Sequence, residues 1–283
     1  MSKEKFSVSM CVYAGDNPEH FDAAISSIIN QTVTPTEIVL TVDGPIPLET
    51  ELVIDKHLKE SAIKKIEFKV IRLEKNMGHG EARRICFDNC SCELIALMDA
   101  DDLSVPDRFE KQLHFFSDNQ QVSVVGGMIT EFISSSNPID TSQIVGKRIV
   151  PEEDSSIKQF MKKRCPMNQV TVMFKKKDVA EVGGYIDWYC EEDYYLWIRL
   201  ALAGKSFGNI PENLVNVRVG EEMYQRRGGW KYFRSEVKLQ RLMLTKKKIS
   251  IVRYTINTIE RLIVQVLLPT RVRGWVFQKL TRK

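Results

Sequence analysis

Three short stretches of this chain concentrate groups that can do chemistry. Asp99-Ala100-Asp101-Asp102 sets three carboxylates directly after the apolar run Leu94–Met98. Carboxylates this crowded repel one another, and a hard divalent cation, Mg2+ or Mn2+, compensates them through oxygen ligands that it shares with the phosphates of a bound nucleotide. The plainer reading is that these acids cap the next turn. Cys190-Glu191-Glu192-Asp193-Tyr194-Tyr195 puts three more acids at the start of a helical pattern. There the helix dipole helps hold them ionised, and one carboxylate can take a proton from an attacking hydroxyl. Trp188, Tyr189, Tyr194 and Tyr195 offer a platform for sugar rings, although core packing explains some of them equally well. Asn76-Met77-Gly78-His79-Gly80 precedes a helical stretch with Arg83 and Arg84. Its glycines let backbone amides approach an anion, but it has neither the Walker ending nor the dinucleotide glycine spacing, so taken alone it reads as a turn.

Positioning these groups requires strands that end beside one another. Phe6–Val12, Glu37–Val42, Phe68–Leu73 and Leu94–Met98 read as strands separated by helical spacing, which implies a parallel sheet with helical crossovers. Ligands of such sheets bind beyond the carboxyl ends of the strands. The segments found there are Tyr13-Ala14-Gly15-Asp16, Asp43-Gly44-Pro45, the Asn76–Gly80 loop and the Asp99–Asp102 run. The first helix has Asp16 or Asn17 as its cap and Pro18 at its first position, with Phe21, Ala24, Ile25, Ile28 and Ile29 on one face. After Pro106 a helix is expected to about Ser117, then strands Val122–Gly126 and Met128–Phe132 with a Gly-Gly joint, and a surface loop over 134–150. Val170–Phe174, Glu191–Ala203 and Leu214–Val219 read as strand, helix and strand.

Hydrophobic residues at 43% and charged residues at 28% describe a chain with ample material for a core. The six cysteines show no zinc-type pairs and read as free thiols of a reducing compartment, and Met1–Lys5 runs straight into the first strand without a signal-peptide pattern. The core is therefore expected to fold in the cytosol. No Gly-x-Ser-x-Gly elbow occurs, which disfavours a serine hydrolase, and the four histidines have no metal spacing. The net charge of +4 hides an asymmetry: residues 246–283 hold ten Lys or Arg against Glu260 alone, so acids are in excess before them and no nucleic-acid surface is expected on the main domain. Residues 249–268 are rich in Ile, Leu and Val but interrupted by Arg253, Glu260 and Arg261, so a spanning helix is not expected. A basic amphipathic helix on an anionic membrane face fits better, with Trp275 and Phe277 as interfacial anchors; packing on the domain, or a dimer contact, is the alternative.

The motifs resemble the family 2 glycosyltransferases of GT-A fold that build bacterial exopolysaccharide and O-antigen, including amylovoran-type enzymes. The resemblance rests on Val8–Tyr13, Ser27–Thr32, Ile38–Gly44, Asn76–Gly78, Met98–Asp102 and Glu192–Tyr194. It implies a Rossmann-like nucleotide-binding α/β sheet with helices on both faces over residues 1–220, the donor half ending near 102, and a basic loop and helical tail over 221–283. It further implies that Tyr13 and Asp43 hold the nucleobase and ribose end, with Ala14, Asn76, Gly78, Arg83 and Ala100 along the donor pocket. Asp99 would face the ribose or metal, Asp101 would ligate the metal, Asp193 would be the base of an inverting displacement, and Glu192 would orient the acceptor. Arg84 and Ala14-Gly15 depart from the family pattern, which leaves the donor open. Gln225–Trp230 loosely resembles a loop of processive relatives, in which Arg227 would close over the diphosphate, but the spacing differs and a plain basic loop is the alternative. The expected partners are a nucleotide-sugar, with uridine as the base, a lipid-linked glycan acceptor and the inner face of the cytoplasmic membrane. A sugar nucleotidyltransferase and a catalytically silent carbohydrate-binding protein are the alternatives. The first lacks its glycine-rich first loop, and the intact acid sets argue against the second.

Overall fold

The computed structural model of the chain describes residues 4–220 and 228–269. Strands β1 (Phe6–Val12), β2 (Glu37–Val42), β3 (Glu67–Arg72) and β4 (Leu94–Met98) are parallel in the order β3-β2-β1-β4. Helices α1 (Pro18–Ile29), α2 (Leu48–Ile63) and α3 (His79–Asn89) connect them. Met10 of β1 lies opposite Leu40 and Met98, so these strands finish together and their loops share one edge. Asn17 is the α1 cap: its Oδ1 accepts from the amides of Glu19 at 2.8 Å and His20 at 3.2 Å, with Pro18 opening the helix.

The strand alternation feeds two cores. Phe6, Val8, Met10 and Val12 turn one way, against α1, α2 and α4 (Arg108–Asp118). Val39, Ile95 and Leu97 turn the other way, against α3, α5 (Asp154–Met161), α7 (Glu192–Leu202) and α8 (Trp230–Thr245). The sheet is thus covered on both faces.

Beyond Asp102 the sheet becomes mixed, running on as β4-β8-β6-β9-β5 with β7 beside β6. Here β5 is Leu103–Ser104, β6 Val122–Phe132, β7 Ile144–Arg148, β8 Met173–Lys175 and β9 Ser206–Arg218; α6 (Lys176–Glu181) follows β8. Three expectations need correction. The Gly-Gly joint does not split β6, which is one strand of 11 residues. A Cβ on Gly127 would lie 2.5 Å from Leu214 Cδ1, so the glycine lets β9 come close, at the cost of a register shift. The 134–150 loop contains β7, paired antiparallel with β6. Val170–Phe174 is a 3-10 turn, Gln169–Thr171, that only then enters β8.

The tail helix α9 (Ile251–Arg261), extended by a π turn over Leu262–Leu267, is mounted opposite to a normal surface helix. Three of its polar side chains are inward, Asn257 at 1% exposed, Gln265 at 4% and Arg261 at 9%, while Thr255 and Glu260 are exposed. Ile251, Val252, Ile256, Ile259, Ile263 and Leu267 are exposed. Among the described residues no helix is long and apolar enough to cross a membrane.

Candidate active site

The carboxyl end of β4 supplies three acids with three different surroundings. Asp102 is buried, and its Oδ1 accepts from the Arg218 amide at 2.8 Å. Burial, then the nearby Asp101 and Asp99, push its carboxyl well above the usual range. Asp99 is partly exposed and accepts from Arg83 Nη2 at 2.6 Å. Arg218 also donates from Nε to the Asp101 carbonyl at 2.9 Å, so the last strand of the sheet fastens this loop. Below it Arg108, fully buried, donates to the Leu97 carbonyl at 2.7 Å; burial lowers its guanidinium to about 9. Asp16, expected in the loop after β1 and as a possible cap of α1, joins the group. Burial and the charges of Asp101 and Asp99 raise it to about 6, against the hydrogen bond it accepts from the Tyr13 amide at 2.9 Å.

The glycine loop finds its anion within the chain. Asp43, at the end of β2, accepts from the amides of Met77 at 2.6 Å and Gly78 at 3.1 Å, and Asn76 reaches back to the Asp43 carbonyl. Gly44 adopts φ of +87°, and a Cβ there would sit 2.6 Å from the Asn76 nitrogen, so the two loops meet backbone to backbone. Asp43 therefore pre-sets the start of α3, and two amides that a phosphate would use are already engaged. Tyr13 and Ala14 are exposed at the end of β1, Asn76 is exposed beyond β3, and the Ala100 side chain is packed into the core.

Arg83, on the second turn of α3, is the hub of the site. It is 5% exposed, touches Asp99 on one side, and donates from Nε to His79 Nε2 at 2.9 Å. His79 Nδ1 stands 3.1 Å from Glu192. Burial raises the Glu192 carboxyl, but His79 and Arg83 outweigh it and leave Glu192 below its usual value. With the Gln169 amide turned so that both neighbours are satisfied, its nitrogen donates to Asp193 Oδ2 at 2.9 Å and its oxygen accepts from Arg83 Nη1. A continuous chain, Asp99–Arg83–Gln169–Asp193, thus joins the end of β4 to the start of α7. Asp193 also accepts from the Tyr194 amide, and burial followed by the charge of Glu192 raises it to about 6. A carboxylate held at that value is poised to accept a proton near neutrality.

Asp99 and Asp193 line one cavity of about 430 Å3, together with Gln169, Arg164, Tyr232 and Arg261. The aromatic platform is not assembled as expected. Tyr194 is a core residue, and Trp188 stacks on Tyr195 at 4.3 Å while donating to the Ser235 carbonyl of α8. Among the described residues no three or more His, Cys, Asp or Glu side chains are arranged to hold a metal unaided. Arg227 lies outside the described residues.

Residues 7–178 match the family model described as glycosyl transferase family 2, and residues 94–272 match glycosyl transferase family group 2. The chain belongs to glycosyl transferase family 2. This glycosyltransferase is 37% identical, over 99% of its length and 97% of the relative's, to the UDP-Gal:alpha-D-GlcNAc-diphosphoundecaprenol beta-1,3-galactosyltransferase of Escherichia coli. It is 31% identical to the amylovoran biosynthesis glycosyltransferase AmsE of Erwinia amylovora, over 97% of this chain and 98% of that one. Its fold is that of GT-A enzymes. It superposes with a TM-score of 0.62 on the Pyrobaculum calidifontis mannosyltransferase PcManGT, solved in complex with GDP-Man and Mn2+, at 14% identity over 99% of this chain and 81% of that one.

The fold thus brings the expected Asp99, Arg83, Glu192 and Asp193 into one bonded group. Tyr13, Ala14, Asp43 and Asn76 lie at the ends of β1, β2 and beyond β3, on the other side of Asp99. Sequence reading placed Asp16 in the loop after the first strand without giving it a role, and missed Gln169, Arg218 and Tyr232, which carried no usable signal.

Proposed function

We propose that the glycosyltransferase moves a sugar from a UDP-sugar, galactose or a close analogue, to a hydroxyl of a lipid-linked N-acetylglucosaminyl diphosphate, with inversion. The observation that carries this reading is the Asp99–Arg83–Gln169–Asp193 chain, which sets a base of raised pKa beside the acids of the donor side. In the reaction the acceptor oxygen bonds to the anomeric carbon as the bond to the nucleoside diphosphate breaks, and Asp193 Oδ takes the hydroxyl proton. Glu192, kept ionised by His79, orients the acceptor. Asp101 and Asp99 would hold Mn2+ or Mg2+ together with phosphate oxygens of the donor. The cation would neutralise the departing diphosphate. Tyr13, Ala14, Asp43, Asn76, Gly78 and the Ala100 backbone would frame the nucleoside, and Arg227 would close over the diphosphate.

The tail supports a peripheral position on an anionic membrane surface, at the inner face of the cytoplasmic membrane. Six exposed apolar side chains of α9 follow Lys246, Lys247 and Lys248, the arrangement of a helix lying in a lipid interface. A triple replacement of Ile256, Ile259 and Ile263 by Gln should abolish flotation with vesicles containing phosphatidylglycerol. Unchanged flotation would remove the membrane role.

Family membership ends the nucleotidyltransferase alternative. Transfer assays over a panel of nucleotide-sugars with Mn2+ or Mg2+, comparing wild type with Asp101→Ala and Asp193→Asn, test the enzymatic reading. Metal-dependent turnover of one donor, lost in both variants, supports it. If no donor turns over with any acceptor, the silent carbohydrate-binding reading takes its place.

A further inference from the structure

His79 and Arg83 stand one helical turn apart at the start of α3, so their side chains share a face. The first turn of α3 also lies against the segment that opens α7. A Cβ on Gly80 would stand 3.4 Å from Asp187 Oδ1 and 3.8 Å from Glu192 Cβ. The His79 imidazole bridges the two helices at this point, with Nε2 at 2.9 Å from Arg83 Nε and Nδ1 at 3.1 Å from Glu192 Oε1.

Only one protonation state of the ring satisfies both contacts. A guanidinium carries N–H donors, no acceptor, and stays charged. The Arg83 Nε–H directed at His79 Nε2 therefore needs a bare lone pair there, which excludes both the imidazolium and the Nε2–H tautomer. The ring proton sits on Nδ1 and is donated to Glu192, whose carboxyl is held below its usual value and accepts. Arg83 and Glu192 are the charged partners of the ring, with Asp16 of the β1 loop at longer range. His79 is thus a link with a direction: it receives from α3 and gives to α7.

The buried Arg83 guanidinium is addressed from three sides: Nη2 by Asp99, Nη1 by Gln169, and Nε by His79. Gln169 in turn holds Asp193. Without the ring nitrogen, a buried N–H would be left unpaired, and the guanidinium would turn toward another acceptor and take Gln169 with it. We propose that His79, held as its Nδ1–H tautomer, is a positioning residue that fixes the plane of the Arg83 guanidinium and, through Gln169, the direction of the Asp193 carboxylate. This rests on the reading of Asp193 as the base. His79 acts through Arg83 and touches neither donor nor acceptor.

The first readout needs no turnover. Long-range proton–nitrogen correlation spectra of the full chain labelled with 15N-histidine, taken near neutral pH, report the protonation of each ring nitrogen, and the His79 signals are those absent from His79→Gln. A proton-bearing Nδ1 with a bare Nε2 is expected; a ring protonated at Nε2, or at both nitrogens, overturns the proposal.

The second readout is steady-state transfer from UDP-galactose, with Mn2+, to N-acetylglucosamine joined through diphosphate to a phenyl-alkyl chain. Two amide variants separate the two contacts of the ring. Asn places an NH2 where Nδ1 was and falls short of Arg83, whereas Gln reaches Arg83 with a carbonyl oxygen at the place of Nε2. His79→Ala and His79→Asn should each lower kcat about tenfold with both KM values within about twofold of wild type, and His79→Gln should recover kcat to within about threefold. A raised KM with kcat kept would make His79 a substrate contact, and a Gln variant no better than Asn would remove the link to Arg83; either result overturns the proposal. Asp193→Asn in the same assay keeps the two readings apart. If it is inactive while His79→Ala equals wild type, the positioning role falls and the base stands. If Asp193→Asn keeps the wild-type kcat, the base falls and this role falls with it.

Discussion

Two acidic triplets, one at the end of β4 and one at the start of α7, have nearly the same composition and are treated in parallel ways by the fold. In each, one acid is buried, pushed well above the usual carboxylate range and used structurally: Asp102 holds the Arg218 backbone, and Glu191 accepts from Tyr232. In each, a second acid is tied to the α3 group, Asp99 through Arg83 and Glu192 through His79. The third differs. Asp101 stands in a concentration of carboxylates that invites a cation, whereas Asp193 is raised to about 6 and linked to the rest through one amide. Counting acids therefore locates a site, and only their partners assign the roles.

The largest effect expected from breaking this division is at Asp193. Replacing it by Asn should lower kcat by about a thousandfold with little change in donor affinity, as measured by steady-state transfer and donor titration. Asp101→Ala should cost about a hundredfold and blunt the response to added Mn2+, seen in metal titrations of activity. If the two losses were reversed, with Asp193→Asn affecting metal response instead, the division of labour would be wrong.

A smaller effect sharpens the role of Gln169. As the proposed base, Asp193 would have to be ionised to act, so kcat/KM should rise with pH and level off above about 6. The Gln169 N–H stabilises the ionised form, so Gln169→Leu should move that limb to higher pH and cost about tenfold at pH 6. Glu192→Gln removes a charge that raises Asp193 and should move the limb to lower pH. A pH–rate profile reads both, and a limb that stays fixed would mean that another group titrates. The smallest effect is expected at Glu191, whose buried carboxyl is pushed well up and turned to Tyr232: Glu191→Gln should change kcat less than about threefold at pH 7.5, in the same assay.

Much of this was legible in the chain before its fold was known. The bounds of β1, β2 and β4 follow from apolar runs ended by turn chemistry, and Asn17-Pro18 is read directly as a helix start. The half beyond Asp102 was harder. β6 owes its continuity across Gly126-Gly127 to a neighbour, β9, that local pattern does not reveal, and β7 is a five-residue edge strand that follows a Ser-, Asn- and Thr-rich run. The site partners were hidden for the same reason. Arg218 is 116 residues from Asp102, and Gln169 lies in a 3-10 turn too short to have a period. Acids could be picked out by their crowding, but neutral or basic residues that orient them carry no mark in the sequence.

The reversed mounting of α9 also bears on how the protein is handled. Deleting the chain from Ser250 onward would remove six greasy side chains and looks like a route to a better-behaved sample. It would also strip Glu236 of Arg261 and Gln265, and Gln240 of Asn257. An orphaned buried carboxylate costs about 3–5 kcal/mol, a large part of a domain's margin against unfolding. Polar replacements on the outward side keep those inner partners, so purification yield is better sought there than by shortening the chain.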